Sequence, residues 1–235
     1  MNKMPGILIL NPVSIDVWNE LTYSYCRKIV SPEIEIHVRN LPKGPKAIEY
    51  DYDREIAAFY VIEEVIKADK EGFDAIVINC FDDPGLDAAR EVSNKLVLGI
   101  GETSMITALL LGHRIAIVST GEQSIPIYHR KAMTLGIEDR VVHIAGIDVG
   151  VLDIRKNIDK IKEILLREIE NSVRQHGSEV VILGCGGFIG LAEELSAKAG
   201  VPVIDPTMVT VKVAESLVGL RLKHSRIFKY KLLMD

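Results

Sequence analysis

The stretch AIVINCFDDPGLDAAR, residues 75–90, contains the unit that decides the fold. An apolar run leads into a polar turn that begins at Cys80, and a helical pattern follows. Continuous runs of Val, Ile and Leu are typical of strands in a parallel sheet that is covered on both faces. An Asp-Pro pair is typical of a helix N-terminus, with Asp as the cap and Pro as the first helical residue. The stretch therefore predicts a buried strand, a turn and a helix that opens at Asp83-Pro84.

The same alternation of short and long elements runs through the whole chain. Eight apolar runs are predicted as strands: GILIL, EIEIHVR, AIVINC, LVLGI, RIAIVST, VVHIAGI, VVILGC and VPVID. Four longer stretches have helical spacing: SIDVWNELTYSYCRKIV, DREIAAFYVIEEVIKADKEG, DIRKNIDKIKEILLREIENSVRQHG and TVKVAESLVGLRLK. Strands that alternate with helices predict an α/β fold with parallel sheets.

An internal repeat becomes visible when Cys80 is aligned with Cys185. AIVINC then falls on VVILGC, LVLGI falls on VPVID, and a Gly-Leu pair follows both cysteines at the same spacing. Upstream, ILILNPVS resembles RIAIVSTGE. This pattern predicts two copies of one set of βα units, each with a cysteine where an equivalent strand ends. Chance similarity between two βα units is the alternative.

The two aligned cysteines are candidates for chemistry because ligands bind at the carboxyl ends of strands in open parallel sheets. A helix N-terminus after each cysteine would favour the thiolate form. Its N–H groups, Gly186 and Gly187 among them, could also stabilise an oxygen on which negative charge develops. The alternative is that both thiols are buried packing groups. Cys26 lies inside a helical stretch with no turn beside it, and we predict only a structural role for it.

Polar residues at other strand ends are weaker candidates. Asn11 and Ser14 follow the first strand, and Ser119 and Thr120 end the fifth. They could bind a substrate or cap the helices that follow. Glu102 could orient a substrate, although an ordinary acid in the first turn of a helix fits the same pattern.

Two other kinds of site find little support. GCGGFIG, residues 184–190, follows a strand as a dinucleotide-binding loop would, but the spacing G-x-G-x-x-G fails because Ile189 precedes the third glycine. Asp82 and Asp83 beside Cys80 raise the question of a metal, yet no CxxC, HExxH or histidine cluster supplies further ligands. We predict no metal, and we interpret both acids as turn residues.

Composition excludes further classes. The 235 residues carry a formal net charge of −5 with no basic block, which argues against nucleic-acid binding. No apolar run approaches the ~18 residues that a membrane span needs. MNKMPGILIL shows no signal-peptide pattern, and three cysteines do not suggest a disulfide framework. We therefore expect a cytoplasmic protein without a membrane or nucleic-acid partner. The basic C-terminal stretch RLKHSRIFKYK is interpreted as a solvated helix or tail.

The chain resembles the aspartate/glutamate/hydantoin racemase superfamily, and within it the hydantoin and allantoin racemase branch. The resemblance rests on motifs that run nearly from end to end: ILNPVS, GPKAIE, NCFDDPGLDAAR, GIGETSM, VSTGE with IPIY, LGCGGF and VPVIDPTMVTVKVAE. Two departures concern the substrate, since Val13 replaces a polar residue of the first loop and Phe188 stands where Met or Leu is more usual.

The resemblance implies two pseudo-symmetric α/β domains with the active site in the cleft between them and no cofactor. Residues 1–100 plus 207–235 would form one domain, and residues 101–206 the other. Cys80 and Cys185 would be the two acid/base groups of a racemase that acts on C5 of 5-monosubstituted hydantoins. We also expect a homo-oligomer. The motifs assign a set of substrate-binding candidates: Asn11, Ser14, Ile48, Phe81, Glu102, Thr120, Gly121, Gly186 and Gly187.

The residues next to the cysteines help to choose the branch. Amino-acid racemases of this superfamily typically follow their cysteines with Asn-Thr, which binds a carboxylate. Here Cys80 is followed by Phe81-Asp82, and Cys185 by two glycines, which suits a neutral ring better. Allantoin racemase, amino-acid racemase, maleate-type isomerase or decarboxylase, and a non-catalytic binding protein stay open as alternatives.

Overall fold

The computed structural model describes residues 4–231. Residues 1–3, at the start of the stretch inspected for a signal peptide, and residues 232–235 lie outside this range. The chain divides into two compact units, one made of Met1–Ile100 with Thr210–Asp235 and the other of Gly101–Val209. From the family resemblance, we expect domain boundaries between residues 100 and 101 and between residues 206 and 207.

The first unit contains four strands and three whole helices. They are β1 Gly6–Asn11, α1 Asn19–Ile29, β2 Glu35–Asn40, α2 Asp51–Glu71, β3 Ala75–Ile78, α3 Leu86–Val92 and β4 Leu96–Gly99. The strands form one sheet in the order β2-β1-β3-β4, with every neighbouring pair parallel.

The second unit repeats this plan. Its elements are α4 Ile100–Ala108, β5 Ile115–Ser119, α5 Ile125–Leu135, β6 Val141–Gly146, α6 Ile158–His176, β7 Val180–Leu183, α7 Ala192–Ala199, β8 Val203–Ile204 and the first turn of α8 Pro206–Gly219. Helices α4 and α8 each cross the division between the units. The sheet order is β6-β5-β7-β8, again with parallel neighbours. The predicted α/β fold and its eight strands are confirmed.

Both sheets have their switch point between equivalent strands. The chain moves outward from β1 to β2 and then returns to β3 on the other side of β1, and β5, β6 and β7 do the same. Ligand sites of open parallel sheets lie at the carboxyl ends of the strands that flank such a point. Asn11 and Cys80 lie at this position in the first unit, and Thr120 and Cys185 in the second.

Burial of the central strands explains their sequences. Every residue of β1, β3, β5 and β7 is buried. On one face of the first sheet, alternate residues of the strands pack against the apolar sides of α2 and α3. Ile48 is half-buried and packs against this same cluster. Cys26 is fully buried in α1, as expected for a structural residue.

Helix boundaries differ from the prediction at three places. Helix α3 begins at Leu86, not at Pro84, because Gly85 adopts a left-handed conformation with φ of 70° and precedes the first helical residue. Helix α5 was not predicted, although Pro126 near its start and a left-handed Gly136 after its end are ordinary helix signals. The basic C-terminal stretch is not helical after Gly219; its Arg226 donates to the carbonyl groups of Arg90 and Ser93.

None of the helices within residues 4–231 is long and apolar enough to cross a membrane.

Candidate active site

Cys80 follows β3 at the carboxyl end of the first sheet. The N–H of Asn79 donates to the carbonyl of Leu10 at 2.9 Å, which carries the strand pairing up to the residue before the cysteine. The chain then turns, and the N–H of Asp83 donates to the carbonyl of Cys80 at 3.0 Å. Residues 80–85, which we call the Cys80 turn, end at the left-handed Gly85. The thiol is therefore carried on a closed turn and is partly exposed.

Phe81 and Asp83 anchor this turn. The Phe81 ring is only 1 % exposed and packs as a core residue. Asp83 has φ of 51°, a conformation that is uncommon outside glycine. Its carboxylate lies against Gly99 so closely that a Cβ at Gly99 would overlap it. Asp83 was predicted as the N-cap of α3, which is wrong, because α3 has Gly85 as its cap and no side-chain cap bond.

A chain of four asparagine side chains stabilises the same edge of the first sheet. Asn79 Nδ2 donates to Asn11 Oδ1 at 2.7 Å, Asn11 Nδ2 donates to Asn19 Oδ1 at 2.8 Å, and Asn19 Nδ2 donates to Asn40 Oδ1 at 3.0 Å. Asn40 in turn donates to the carbonyl of Leu41. The amide of Asn11 therefore links β1, the turn after β3 and α1. Sequence analysis had found only Asn11, although the other three also lie at the start or end of elements.

The loop after β1 is fixed to the loop after β2. Ser14 donates to the carbonyl of Pro45 from its backbone N–H at 2.8 Å and from its hydroxyl at 3.2 Å. Leu41 N–H donates to the carbonyl of Val13 at 2.8 Å. Ser14 thus has a structural contact that explains its presence, and Ile48 lies in the same segment against the core.

Cys185 holds the equivalent place in the second unit. Gly184 N–H donates to the carbonyl of Val118 at 2.7 Å, and Phe188 N–H donates to the carbonyl of Cys185 at 3.1 Å. The N–H of Gly187 donates to Cys185 Sγ at 3.3 Å. Residues 185–190, the Cys185 turn, end at Gly190, which is left-handed with φ of 82°. A donor aimed at sulfur favours the thiolate over the thiol.

Hydroxyl groups surround the carbonyl that precedes Cys185. Ser119 Oγ donates to Gly184 O at 3.1 Å, and Tyr128 OH donates to the same oxygen at 2.9 Å. A Cβ at Gly184 would lie 3.0 Å from the Cβ of Ser119, so only glycine fits easily. Tyr128 belongs to α5, the helix that sequence analysis missed, and it positions the residue before the cysteine.

Thr120, Gly121 and Glu102 occupy polar positions near strand ends. The hydroxyl of Thr120 has no hydrogen-bond partner among residues 4–231, although the residue is only 7 % exposed. Gly121 accepts from the hydroxyl of Ser124 at 2.7 Å, and a Cβ on Gly146 would overlap the Gly121 backbone. Glu102 lies in the first turn of α4 and is half-buried. Among these three, Thr120 has a polar group available for a ligand.

Asp205 and Arg155 hold the Cys185 turn from outside. Asp205 accepts from the N–H groups of Gly190, Thr207 and Met208 at 2.7, 3.1 and 3.0 Å. Burial raises the pKa of the Asp205 carboxyl, while these donors and the nearby Arg155 act in the opposite direction. Arg155 Nη2 donates to two carbonyl groups of the turn. Sequence analysis missed Arg155, which lies among other charged residues in DIRKN.

Cys26, Cys80 and Cys185 form no disulfide within residues 4–231, and no cluster of His, Cys, Asp or Glu suited to a metal ion occurs among these described residues. Cys80 and Cys185 are both partly exposed and lie at the carboxyl ends of the central strands, where each carries a group that can exchange protons. Each cysteine lies beside the switch point of its sheet, which β1 flanks in the first unit and β5 in the second. A partly exposed thiol on a closed turn can act as a base when ionised and as an acid when protonated.

The chain is similar along most of its length to known proteins. The Asp/Glu/Hydantoin racemase family matches residues 7–214. A hydantoin racemase from Paenarthrobacter aurescens is 34 % identical over 96 % of both chains, and one from Pseudomonas sp. (strain NS671) is 38 % identical over 80 % of this chain and 76 % of that protein. The solved allantoin racemase from Klebsiella pneumoniae is 30 % identical, with a TM-score of 0.94 over 98 % of this chain and 94 % of that one.

The chain therefore belongs to the Asp/Glu/hydantoin racemase family. The predicted family and the predicted class of enzyme, an isomerase of the racemase type, are confirmed.

Proposed function

We propose that this protein is a cofactor-independent racemase of 5-monosubstituted hydantoins, with Cys80 and Cys185 as the two acid/base groups at C5. The observation that carries the proposal is the equivalent placement of the two thiols, each after the central strand of its own sheet and beside the switch point. The relatives support the ring class. Allantoin is itself a hydantoin with a ureido group at C5, so it falls within the proposed substrates and is the second candidate.

The reaction needs one base and one acid on opposite faces of a carbon. The thiolate of one cysteine removes the C5 proton, and the electrons of the C–H bond move toward the adjacent carbonyl to give an enolate. The thiol of the other cysteine then donates its proton to the opposite face of C5. The two sulfurs have exchanged protonation states, and the enzyme is ready for the other enantiomer. Each positioned proton transfer contributes about 10²–10⁴-fold.

The residues around Cys185 support thiolate formation and substrate binding on that side. The Gly187 N–H already donates to the sulfur, and the Thr120 hydroxyl near the end of β5 is available to a carbonyl or N–H of the ring. We propose Thr120 as a direct substrate contact. For Asn11 and Phe81, whose side chains join a buried network or the core, we propose an indirect role through the turn that carries Cys80.

The proposal is tested with each enantiomer of 5-isopropylhydantoin in D₂O. Wild-type protein should remove the optical rotation of both enantiomers and place deuterium at C5. Cys80→Ala and Cys185→Ala should each lose racemisation by at least about 10²-fold, because one of the two proton transfers is removed. Each variant should still exchange the C5 proton of one enantiomer, and the two variants should select opposite enantiomers. Cys26→Ala, which changes a thiol buried in α1, is the matched control and should retain activity.

Racemisation at the wild-type rate by either single variant would exclude the two-thiol mechanism. A panel of aspartate, glutamate and maleate tests the other reactions of the superfamily; turnover of one of these, with none of any hydantoin, would overturn the proposed substrate class. Cytoplasmic location and homo-oligomerisation stay predictions from the sequence.

A further inference from the structure

Arg155 connects the start of α6 to the turn that carries Cys185. It follows a short 3-10 helix, Val151–Asp153, and precedes α6. Its Nη2 donates to the carbonyl of Gly187 at 2.9 Å and to that of Ile189 at 2.6 Å. Both carbonyls belong to residues 185–190, so one guanidinium nitrogen bridges two peptide groups of the Cys185 turn.

Gly187 connects Arg155 to the sulfur, because its carbonyl accepts from Arg155 and its N–H donates to Cys185 Sγ. Phe188 N–H, in the peptide whose carbonyl accepts from Arg155, donates to the carbonyl of Cys185. Ile189 N–H donates to the carbonyl of Gly186, in the peptide that faces the sulfur. Arg155 therefore restrains the residue whose N–H faces the thiol.

The sequence of the turn explains why a contact from a residue outside the turn is needed to fix its backbone. Gly186 and Gly187 have no side chains to restrict their dihedral angles, so the peptide that donates to sulfur would otherwise be free to rotate. Phe188 is fully buried and fixes one side of the turn. Gly190 is held by Asp205, whose carboxylate accepts its N–H. Arg155 binds the carbonyl groups of the residues on either side of Phe188, Gly187 and Ile189.

Charged and titratable groups within residues 4–231 that contact this turn or the residue before it include Arg155, the Asp205 carboxylate after β8, and Tyr128 of α5 through the Gly184 carbonyl. Asp205 opposes the effect of Arg155 on a nearby anion. However, Asp205 accepts only from Gly190 and the start of α8, whereas Arg155 also binds the carbonyl of Gly187, the residue whose N–H faces the sulfur.

We propose that Arg155 is a positioning residue for Cys185, which holds the Gly187 N–H on the sulfur and so favours the thiolate at this cysteine. The proposal rests on the two-thiol function above for its catalytic consequence, but its effect on the ionisation of Cys185 does not depend on that function.

The first test therefore measures ionisation without substrate. In a Cys26→Ala/Cys80→Ala protein, where Cys185 is the remaining thiol, thiolate absorbance at 240 nm is followed against pH. Arg155→Met should move the midpoint to higher pH, and Arg155→Lys, which keeps a cation, should recover part of the shift. In a Cys26→Ala/Cys185→Ala protein, Arg155→Met should leave the Cys80 midpoint unchanged. An unchanged Cys185 midpoint would overturn the proposal.

The second test measures C5 deuterium exchange in the two single-thiol backgrounds. With Cys185 as base, in Cys80→Ala, Arg155→Met should slow exchange by about 10–100-fold, the scale expected when a reacting group is misplaced. With Cys80 as base, in Cys185→Ala, it should change exchange less than about twofold. Equal losses in both backgrounds would mean that Arg155 only stabilises the fold, and would overturn the proposal.

Arg114 provides the matched control because it makes the same kind of contact elsewhere in the unit. It donates to the carbonyl groups of His176 and Gly177, before the amino end of β7. Arg114→Met should leave the Cys185 midpoint and both exchange rates unchanged. If neither single-thiol protein exchanges while the wild type racemises, the two-thiol function fails, and the midpoint test still decides the role of Arg155.

Discussion

The Cys80 turn and the Cys185 turn begin with the same backbone bonds. The residue before each cysteine donates to the neighbouring central strand, and the residue three positions after it donates to the cysteine carbonyl. Each turn ends at a left-handed glycine, Gly85 or Gly190. Each turn also contains a buried phenylalanine, Phe81 or Phe188, but the acid beside the turn comes from a different segment in each unit. The repeated backbone thus gives the two thiols equivalent positions although other contacts of the turns differ.

The difference is clearest where each turn meets the next strand of its sheet. In the first unit the acid belongs to the turn, and the Asp83 carboxylate lies against Gly99 at the end of β4. In the second unit the acid follows the next strand, and Asp205 after β8 reaches back to the N–H of Gly190. Arg155 adds a cation to the second turn. The two thiols therefore occupy equivalent positions, while the acids beside their turns belong to different segments.

The largest effect on stability should come from adding a side chain at Gly99, where the Asp83 carboxylate lies against the backbone. Gly99→Ala would place a methyl group on the Asp83 carboxylate, with both groups buried. We expect the free energy of unfolding to fall by about 2–3 kcal/mol, as is typical of overpacking. Urea unfolding measures this. Gly219→Ala, where an added Cβ meets nothing within 4 Å, is the control. Equal stability of the two variants would contradict the contact.

Much of this frame could be predicted from sequence. Continuous apolar runs such as AIVI and VVIL predicted buried parallel strands, and alignment of the two cysteines predicted the repeat that the strand orders confirm. These features are local or periodic, so they can be found in one chain. The resemblance added the family, which the comparisons confirm.

The contacts that distinguish the turns could not be predicted in the same way. The position of the Asp83 carboxylate depends on a strand end sixteen residues later, and the left-handed Gly85 places the start of α3 beyond the expected Asp-Pro signal. Arg155 reaches a turn thirty residues downstream from a stretch that reads as an ordinary charged segment. Such contacts depend on how the elements pack in the folded chain, and no periodic pattern in the sequence indicates them.

The next largest effect on stability should come from the hydrogen bonds of Asn11 at the end of β1, which we compare with those of Ser119 at the end of β5. Asn11→Ala removes the acceptor of Asn79 and the donor to Asn19, so we expect a loss of about 1–2 kcal/mol in the free energy of unfolding. Ser119→Ala should cost less, about 0.5–1 kcal/mol, because Tyr128 still donates to Gly184 O. Chemical unfolding of both variants beside the exposed Asn94→Ala gives the ranking. A larger loss for Ser119→Ala would contradict the role assigned to the asparagine chain.

The smallest effect on stability is expected in α7, the helix that follows the Cys185 turn. In α7, hydrogen bonds from Lys162 and Lys198 lower the pKa of the Glu194 carboxyl to about 2. Such a carboxylate stabilises the fold above its unfolded pKa near 4.5, and this contribution is lost as the pH falls toward 2. Because the pair is exposed and screened by salt, Glu194→Gln should lower Tm only slightly at pH 7 and low salt, and less at high salt.

The control for this last prediction is Glu193→Gln, which changes the neighbouring exposed acid on the same turn of α7. Thermal unfolding of wild type and both variants between pH 2 and pH 7 should show a Tm difference for Glu194→Gln that shrinks toward the acidic end. A difference that stays undiminished at pH 2, where about half of the folded-state carboxylate is protonated, could not come from the ion pairs. The ion pairs of Glu194 would then contribute nothing measurable to the stability of the fold, and the effect of the substitution would come from packing at α7.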